Sequence, residues 1–141
     1  MPPADVLEQL RAINATAQFN RWCGIEVVGA GPGTAEIAMK WRPEFAQYAG
    51  FLHAGLIGSL IDTACGFAAA TLAGNVLASH FAVNCLRPGV DDRFIARARV
   101  VKHGKSQIFT ACELFAQDGA GEKLVATGET LLLIARTASV D

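Results

Sequence analysis

Charged side chains are scarce in this sequence of 141 residues. Asp, Glu, Lys and Arg make up 18% of it, hydrophobic residues make up 52%, and the net charge is −1. Without a surplus of basic residues, the composition does not favour a surface that binds nucleic acid. The hydrophobic fraction is slightly above the usual range, which favours a surface partly covered by self-association. The length suits a single domain, 1–141, with an N-terminal helix and loop at 1–22 and a polar tail at 136–141.

The sequence patterns of several common catalytic centres are missing. No H-E-x-x-H, G-x-S-x-G or P-loop pattern is present. The cysteines form no C-x-x-C pair and no histidine cluster accompanies them, which predicts reduced, mostly buried thiols: Cys23, Cys65, Cys85 and Cys112. The N-terminus lacks the basic start and apolar run of a secretory signal. We therefore expect a cytoplasmic protein with no metal site and no cofactor.

No hydrophobic run is continuous enough to predict a membrane span. The best candidate, Tyr48–Gly74, is interrupted by Asp62, Ser59 and several glycines. The same stretch predicts one long helix, from near His53 to near Gly74, that is apolar on nearly every side. A helix without a polar face is usually wrapped by other elements, so we expect it to lie at the centre of the fold.

Asp62 is the one residue that breaks the apolar character of this helix. It is the only Asp, Glu, Lys or Arg between Phe45 and Leu86. Because an aspartate is almost never fully buried without a partner or a task, we take Asp62 as the working residue. Gly55 and Gly66 lie on the same stripe of the helix as Asp62. Small residues there predict either tight helix packing or a substrate groove, and both can hold at once.

The remaining pattern predicts an antiparallel sheet around this helix. Ala4–Gln18 has helical periodicity, and two short runs, 25–28 and 34–41, form a hairpin. Four longer β segments follow the central helix: Val76–Arg87, Arg93–Lys102, Ser106–Gln117 and Lys123–Ile134. The breaks between them are short and rich in turn formers, so we expect consecutive strands to pair as antiparallel neighbours. The predicted class is α+β, with the sheet wrapped around one helix.

The N-terminus of the long helix is the second candidate for chemistry. Unpaired amides and the positive end of the helix dipole can polarise a carbonyl or hold an oxyanion. We expect the Ala54 and Gly55 amides to be these donors, since their small side chains leave access open. Asp62 could act as a general base on water or attack directly. The eight residues from Ala54 to Asp62 span about 12 Å along one helix, too far for one reacting centre to touch both. The two groups can act together only across two antiparallel helices, which predicts a site between subunits of a symmetric oligomer.

These residues resemble those of a known family. The segment LHAGLIGSLIDTACGFAA after Gln47, the strand ending in NCLRP and the hairpin VVKHGKSQIF resemble the hotdog-fold acyl-CoA thioesterases. The closest resemblance is to the PaaI and 4-hydroxybenzoyl-CoA thioesterase types, over about Gly24 to Ile134. It implies that Asp62 is the base or nucleophile, that the Ala54 amide polarises the thioester carbonyl, and that Gln47 orients water or the carboxylate. It also implies dimers that pair into tetramers, with coenzyme A across a subunit surface.

Several positions depart from the family pattern or allow two interpretations. Ala54 replaces the usual first glycine, and His80 stands where many members carry an acid, with Ser79 beside it. His53 is interpreted as a helix-start residue that bonds locally, in preference to a proton-transfer group. Arg87 and Lys105 are cations that could meet the phosphates of coenzyme A, although Lys105 at a hairpin is more often only solvated.

The sequence thus predicts a homodimeric or homotetrameric acyl-CoA thioesterase that associates with neither nucleic acid nor membrane. The alternative is a non-catalytic module that binds acyl-CoA or an acyl carrier, which the Ala54 substitution favours. A hotdog dehydratase or hydratase is a weaker third reading, because the Asp and His spacing of those enzymes is not found here. Aryl, short-chain and medium-chain acyl groups all stay open.

Overall fold

The structure is a computed structural model that describes residues 3–135. The predicted tail at 136–141 lies outside the described residues. The elements run in this order: α1 (Pro3–Thr16), α2 (Gln18–Cys23), β1 (Glu26–Gly31), β2 (Thr34–Lys40), a 3-10 turn (Pro43–Phe45), α3 (Ala54–Ala73), β3 (Val76–Cys85), β4 (Arg93–His103), β5 (Gln107–Asp118) and β6 (Gly121–Ile134).

The described strands form one antiparallel sheet in the order β1-β2-β4-β5-β6-β3. This confirms the predicted α+β class, but the expected pairing of β3 with β4 is wrong. Residues 86–92 carry the chain across the N-terminal end of α3, where the Leu52 amide donates to the Gly89 carbonyl (3.0 Å) and the Trp41 amide donates to the Asp92 carbonyl (2.8 Å). This crossing delivers β4 next to β2, and β3 pairs instead with β6 at the far edge.

The sheet wraps α3, whose buried face consists of large and small apolar residues such as Leu60, Ile61 and Ala64. Gly128 of β6 lies tightly against the helix and the neighbouring strand, since a Cβ there would stand 2.7 Å from the Ile61 side chain and 2.8 Å from the Ala82 carbonyl oxygen. Any side chain at this position would therefore force α3 or β3 to shift. The length and hydropathy of α3 would suffice for a membrane span. Its packing against all six described strands accounts for that composition, since core helices of soluble proteins share it.

The N-terminal segment differs from the prediction in one respect. The predicted helix ends earlier, at Thr16, and the expected loop after it contains a second short helix, α2. The chain leaves α2 through Gly24, whose φ of 72° is the left-handed conformation common after helices. The side chain of Asn14 donates to the Ile25 carbonyl at 2.8 Å, which ties α1 to the chain entering β1.

Candidate active site

The N-terminal end of α3 is held by the loop that precedes it. In this loop the Gln47 amide donates to the Phe51 carbonyl (2.8 Å), and the Gly50 amide donates to the Gln47 carbonyl (2.9 Å). The Gln47 side-chain oxygen accepts a further bond from the Ala49 amide. The carboxamide nitrogen of Gln47 remains, so this side chain can offer a donor to a ligand.

The first amides of α3 have different partners. The Nδ1 atom of His53, the N-cap residue, accepts from the Gly55 amide at 2.8 Å. The Leu56 and Ile57 amides both donate to the His53 carbonyl, at 2.9 and 3.1 Å. Among the described residues, the Ala54 amide alone of these four has no acceptor. This differs from the expectation that both Ala54 and Gly55 face the substrate, because the His53 ring occupies the Gly55 amide.

The local bonding of His53 agrees with its interpretation as a helix-start residue. Nδ1 must carry its lone pair to accept from the Gly55 amide, so the neutral ring carries its proton on Nε2. The replacement of the family's glycine by Ala54 also costs the backbone nothing, since no non-glycine residue within 3–135 has a positive φ. The alanine therefore keeps the amide in an ordinary helical start.

Asp62 lies eight residues further along α3, or about 12 Å along the axis. Its side chain is half-buried, and among residues 3–135 it makes no hydrogen bond or ion pair. Burial raises the pKa of the Asp62 carboxyl. A structural aspartate would be held by backbone or side-chain donors, which this carboxylate lacks. A raised pKa in a cleft is typical of a general base.

Cys65 follows Asp62 on the helix but faces the sheet. Its thiol is fully buried, and a hydrogen bond with Cys112 lowers its pKa while the nearby Asp62 charge opposes that shift. The pKa of Cys112 is raised by the same hydrogen bond and by burial. Both cysteines are buried, and neither lines a cavity that contains Asp62 or Ala54, so they form part of the core and are not placed to attack an acyl group bound there.

Two separate cavities lie along α3. The first, of about 600 Å³, contains Asp62 and extends toward the C-terminal end of the helix. The second, of about 550 Å³, lies at the N-terminal end and is lined by Gln47, His53, Ala54 and Arg87, among others. Four of the residues singled out from the sequence therefore share one cavity, and Asp62 lies in the other.

Of the predicted site residues that line neither cavity, Gly55 lies at the start of α3, and the other three lie elsewhere. The Ser79 hydroxyl donates to the Leu131 carbonyl at 3.2 Å. His80 pairs with Leu131 across β3 and β6 and lines a smaller cavity of about 350 Å³ with Phe109 and Glu129. Lys105 lies in the β4–β5 turn, at the end of the sheet where α3 ends. Arg87 lies where α3 begins, so one subunit cannot present both cations to the same phosphate.

Sequence reasoning missed the residues that link α2 to the start of α3. The Arg42 guanidinium lies 4.9 Å from the Trp22 ring centroid and 4.4 Å from that of Phe45. The Phe45 carbonyl in turn accepts from the His53 amide at 2.9 Å. Phe19 and Trp22 are evident in the sequence, but no local pattern indicates that Trp22 stacks on an arginine twenty residues away.

The edge strand β3 is open along its outer side. Leu77 and Phe81 on this strand remain 60% and 48% exposed. Phe81 also packs over the helix, 3.2 Å from where a Cβ on Gly58 would lie. A ten-residue edge with exposed apolar side chains is a template for pairing with another strand. Among the described residues no group of three or more His, Cys, Asp or Glu is arranged to hold a metal ion.

The topology, an antiparallel sheet curled around one long helix, is that of the hotdog fold. A thioesterase family protein from Silicibacter pomeroyi has the same fold, with a TM-score of 0.87 and 31% identity, over 91% of this chain and 96% of that one. A mutant of the phenylacetic acid degradation protein PaaI from Thermus thermophilus superimposes with a TM-score of 0.77 at 25% identity, over 84% and 100% of the two chains.

Sequence comparison leads to the same family. The family model described as the thioesterase superfamily matches residues 49–123. A protein of Saccharolobus solfataricus, named as a candidate esterase, is 28% identical over 104 residues, which is 72% of this chain and 74% of that protein. The chain therefore belongs to the thioesterase superfamily, and PaaI-type proteins are among its structural neighbours.

Proposed function

We propose that the protein hydrolyses an acyl-CoA thioester to the free acid and coenzyme A, in a site formed by two subunits. The observation that carries this proposal is that two polar groups on the same helix have no hydrogen-bond partner. The Asp62 carboxylate and the Ala54 amide both lack partners within 3–135, and they lie about 12 Å apart. Two antiparallel copies of α3 would bring Asp62 of one subunit beside Ala54 of the partner subunit.

The chemistry then needs no cofactor. Asp62 takes a proton from water, whose oxygen attacks the thioester carbonyl carbon. The Ala54 amide of the partner subunit donates to the oxyanion that forms. Collapse of the tetrahedral intermediate breaks the carbon–sulfur bond, and the leaving thiolate takes the proton from Asp62, which restores the carboxylate. A route through an Asp62 anhydride, which water then opens, uses the same two groups.

The other site residues have supporting roles in this proposal. Gln47 offers its carboxamide donor to the water or the thioester, and His53 holds the start of α3 in place. Arg87, at the mouth of the same cavity, is placed to meet the coenzyme A phosphates. Lys105 could reach that ligand only from the partner subunit. Ser79 and His80 lie on β3, and a contact with coenzyme A there also requires a second chain.

The outer edge of β3 has no strand beside it, which favours a homodimer. Two such dimers would then associate into a tetramer. Exposed apolar residues on the outer face of the sheet, such as Val101 and Phe109, favour such further association. The partners we propose are thus acyl-CoA and further copies of the same chain, with no role for nucleic acid or a membrane. A cytoplasmic location remains a prediction.

The deciding experiment is thiol release from a panel of acyl-CoA esters by the parent protein and by Asp62→Asn. We expect the variant to fold and assemble normally but to lose nearly all turnover. Asp92→Asn, an equivalent change at an exposed turn, is the matched control and should keep parental activity. Parental rates in Asp62→Asn would refute the assignment. Binding of the esters by the parent without release of thiol would instead support the non-catalytic module.

A further inference from the structure

The cavity that contains Asp62 is elongated. Three of its lining residues recur every fourth position on α3, namely Asp62, Gly66 and Ala70, and the C-cap residue Gly74 continues the series. Residues four apart lie on one face of a helix, so the cavity follows the helix axis. The twelve residues from Asp62 to Gly74 correspond to a length of about 18 Å. The cavity is therefore a groove with Asp62 at one end.

The walls of this groove are mostly apolar or small, and its uncharged polar members are Thr16, Asn20, Thr63 and Asn75. Its far wall comes from the N-terminal helices, including Ile13 and Ala17, and its floor includes Phe67 and Leu132. Asp62 is the one ionisable side chain among the described residues that line it. A ligand that enters from the Asp62 end therefore meets no charge beyond the carboxylate, which excludes acyl groups with a charged far end.

The small residues on the helix side leave the groove open. A Cβ built on Gly66 would meet only the Leu132 side chain, at 3.9 Å, so the backbone there is not closed off by tight packing. The small residues on the Asp62 face of α3 allow either tight packing or a groove. The open space beside Gly66 favours the groove.

We propose that the groove binds the acyl group and that the preferred substrates are straight-chain acyl-CoA esters of about ten to fourteen carbons. This inference rests on the proposed function. With carbon–carbon bonds of about 1.5 Å, an extended chain advances about 1.3 Å per carbon, so about 18 Å holds some fourteen carbons. A benzoyl or acetyl group reaches only the first part of the groove and leaves the N-terminal helices without contact.

The test measures kcat/KM over straight-chain CoA esters from acetyl to tetradecanoyl, with benzoyl-CoA alongside. A fully buried methylene adds about fourfold, and six methylenes separate the butanoyl and decanoyl esters. Because the groove is open on one side, we expect about half of that free energy per methylene, or about twofold each, which gives a gain of about sixtyfold between the two esters. Variants that block the groove at two depths give the critical comparison. Gly66→Leu lies about 6 Å from Asp62, and Ala70→Leu lies about 12 Å from it. In Gly66→Leu, kcat/KM should stop rising with chain length at about five carbons, and in Ala70→Leu at about nine.

The matched control is Ala12→Leu, an exposed residue of α1 that does not line the groove, which should keep the parental chain-length profile. Should Ala70→Leu fail to fold, Ala17→Leu blocks the groove from the opposite wall. A flat profile, a preference for acetyl or benzoyl esters, or cut-offs that do not move with the variants would overturn this inference alone. Absence of hydrolysis with every ester would overturn the proposed function and this inference with it.

Discussion

At the scale of single residues, the site depends on two groups whose polar atoms are not used by the fold. Asp62 and Ala54 could both be identified from the sequence, because one is a lone charge in an apolar helix and the other begins that helix. The sequence could not show that the Gly55 amide already has an acceptor, since that hydrogen bond depends on the rotamer of the His53 ring. The structure narrows the proposed oxyanion donors from two to one.

The raised pKa of Asp62 predicts that catalytic activity and stability change with pH in opposite directions. Only the ionised carboxylate can accept a proton from water, so kcat/KM should fall on the acid side, with a midpoint above the ordinary aspartate value of about 3.9. The folded state binds the Asp62 proton more tightly than the unfolded state does. Its contribution to stability is therefore full below the unfolded pKa and is lost as pH rises through the folded one.

Asp62→Asn removes this titration and should raise Tm relative to the parent at neutral pH. The advantage should shrink as pH falls toward 4, because the parent carboxyl then becomes protonated as well. Thermal melts of both proteins between pH 4 and 8 measure the difference. An advantage that is constant over this range, or that grows toward acid pH, would contradict desolvation as the cause of the pKa shift.

Ala54→Pro tests the amide without disturbing the helix. Proline is favoured at the first position of a helix, and His53, at φ −62° and ψ 135°, already has the conformation preferred before proline. The substitution removes one N–H and should lower kcat by about 10²- to 10³-fold, the usual effect of losing one oxyanion donor.

Ala54→Ser keeps the amide and is the control for the change of side chain at this position. Circular dichroism and Tm report whether the proline variant folds. A folded Ala54→Pro protein with parental kcat would exclude the Ala54 amide from the reaction.

At the scale of elements, the helices and strands could be predicted from periodicity, but the position of β3 in the sheet could not. The short turn-rich breaks correctly predict the β4–β5 and β5–β6 hairpins. Residues 86–92 look like another such break, yet they cross the end of α3, because Leu52 and Trp41 provide hydrogen-bond donors to that segment. Those contacts join residues 37 and 51 positions apart, so local turn chemistry does not indicate them.

The start of α3 gives a prediction about His53. Its Nδ1 atom caps the Gly55 amide, so His53→Ala should lower the free energy of unfolding by about 1 kcal/mol, the typical cost of losing an N-cap. Asparagine is a good N-cap and cannot transfer protons, so His53→Asn should recover most of the stability and of kcat. Urea unfolding and steady-state kinetics of both variants test this. Restored stability with kcat as low as in His53→Ala would show that the imidazole itself takes part in the chemistry.

At the scale of the whole molecule, the sequence indicates that a partner is needed but does not show which surface it occupies. The excess of hydrophobic residues and the 12 Å spacing of the two reactive groups both favour an oligomer. The surface becomes visible only when β3 is placed at the edge of the sheet with Leu77 and Phe81 exposed. The groove beyond Asp62 has the same origin, since its walls come from α1, α3, β3 and β6 and no single segment forms it.

A site shared between subunits predicts that two inactive variants can restore each other. In a mixed dimer of Asp62→Asn and Ala54→Pro chains, one of the two sites combines the intact Asp62 with the intact Ala54 amide of the partner subunit. Random pairing makes about half of the dimers mixed, and half of their sites are whole, so coexpression should recover about a quarter of parental activity. Chains with different affinity tags allow the mixed dimer to be purified and assayed against each homodimer. If both groups acted within one chain, neither variant would contain a whole site, and the purified mixed dimer would be as inactive as its parents.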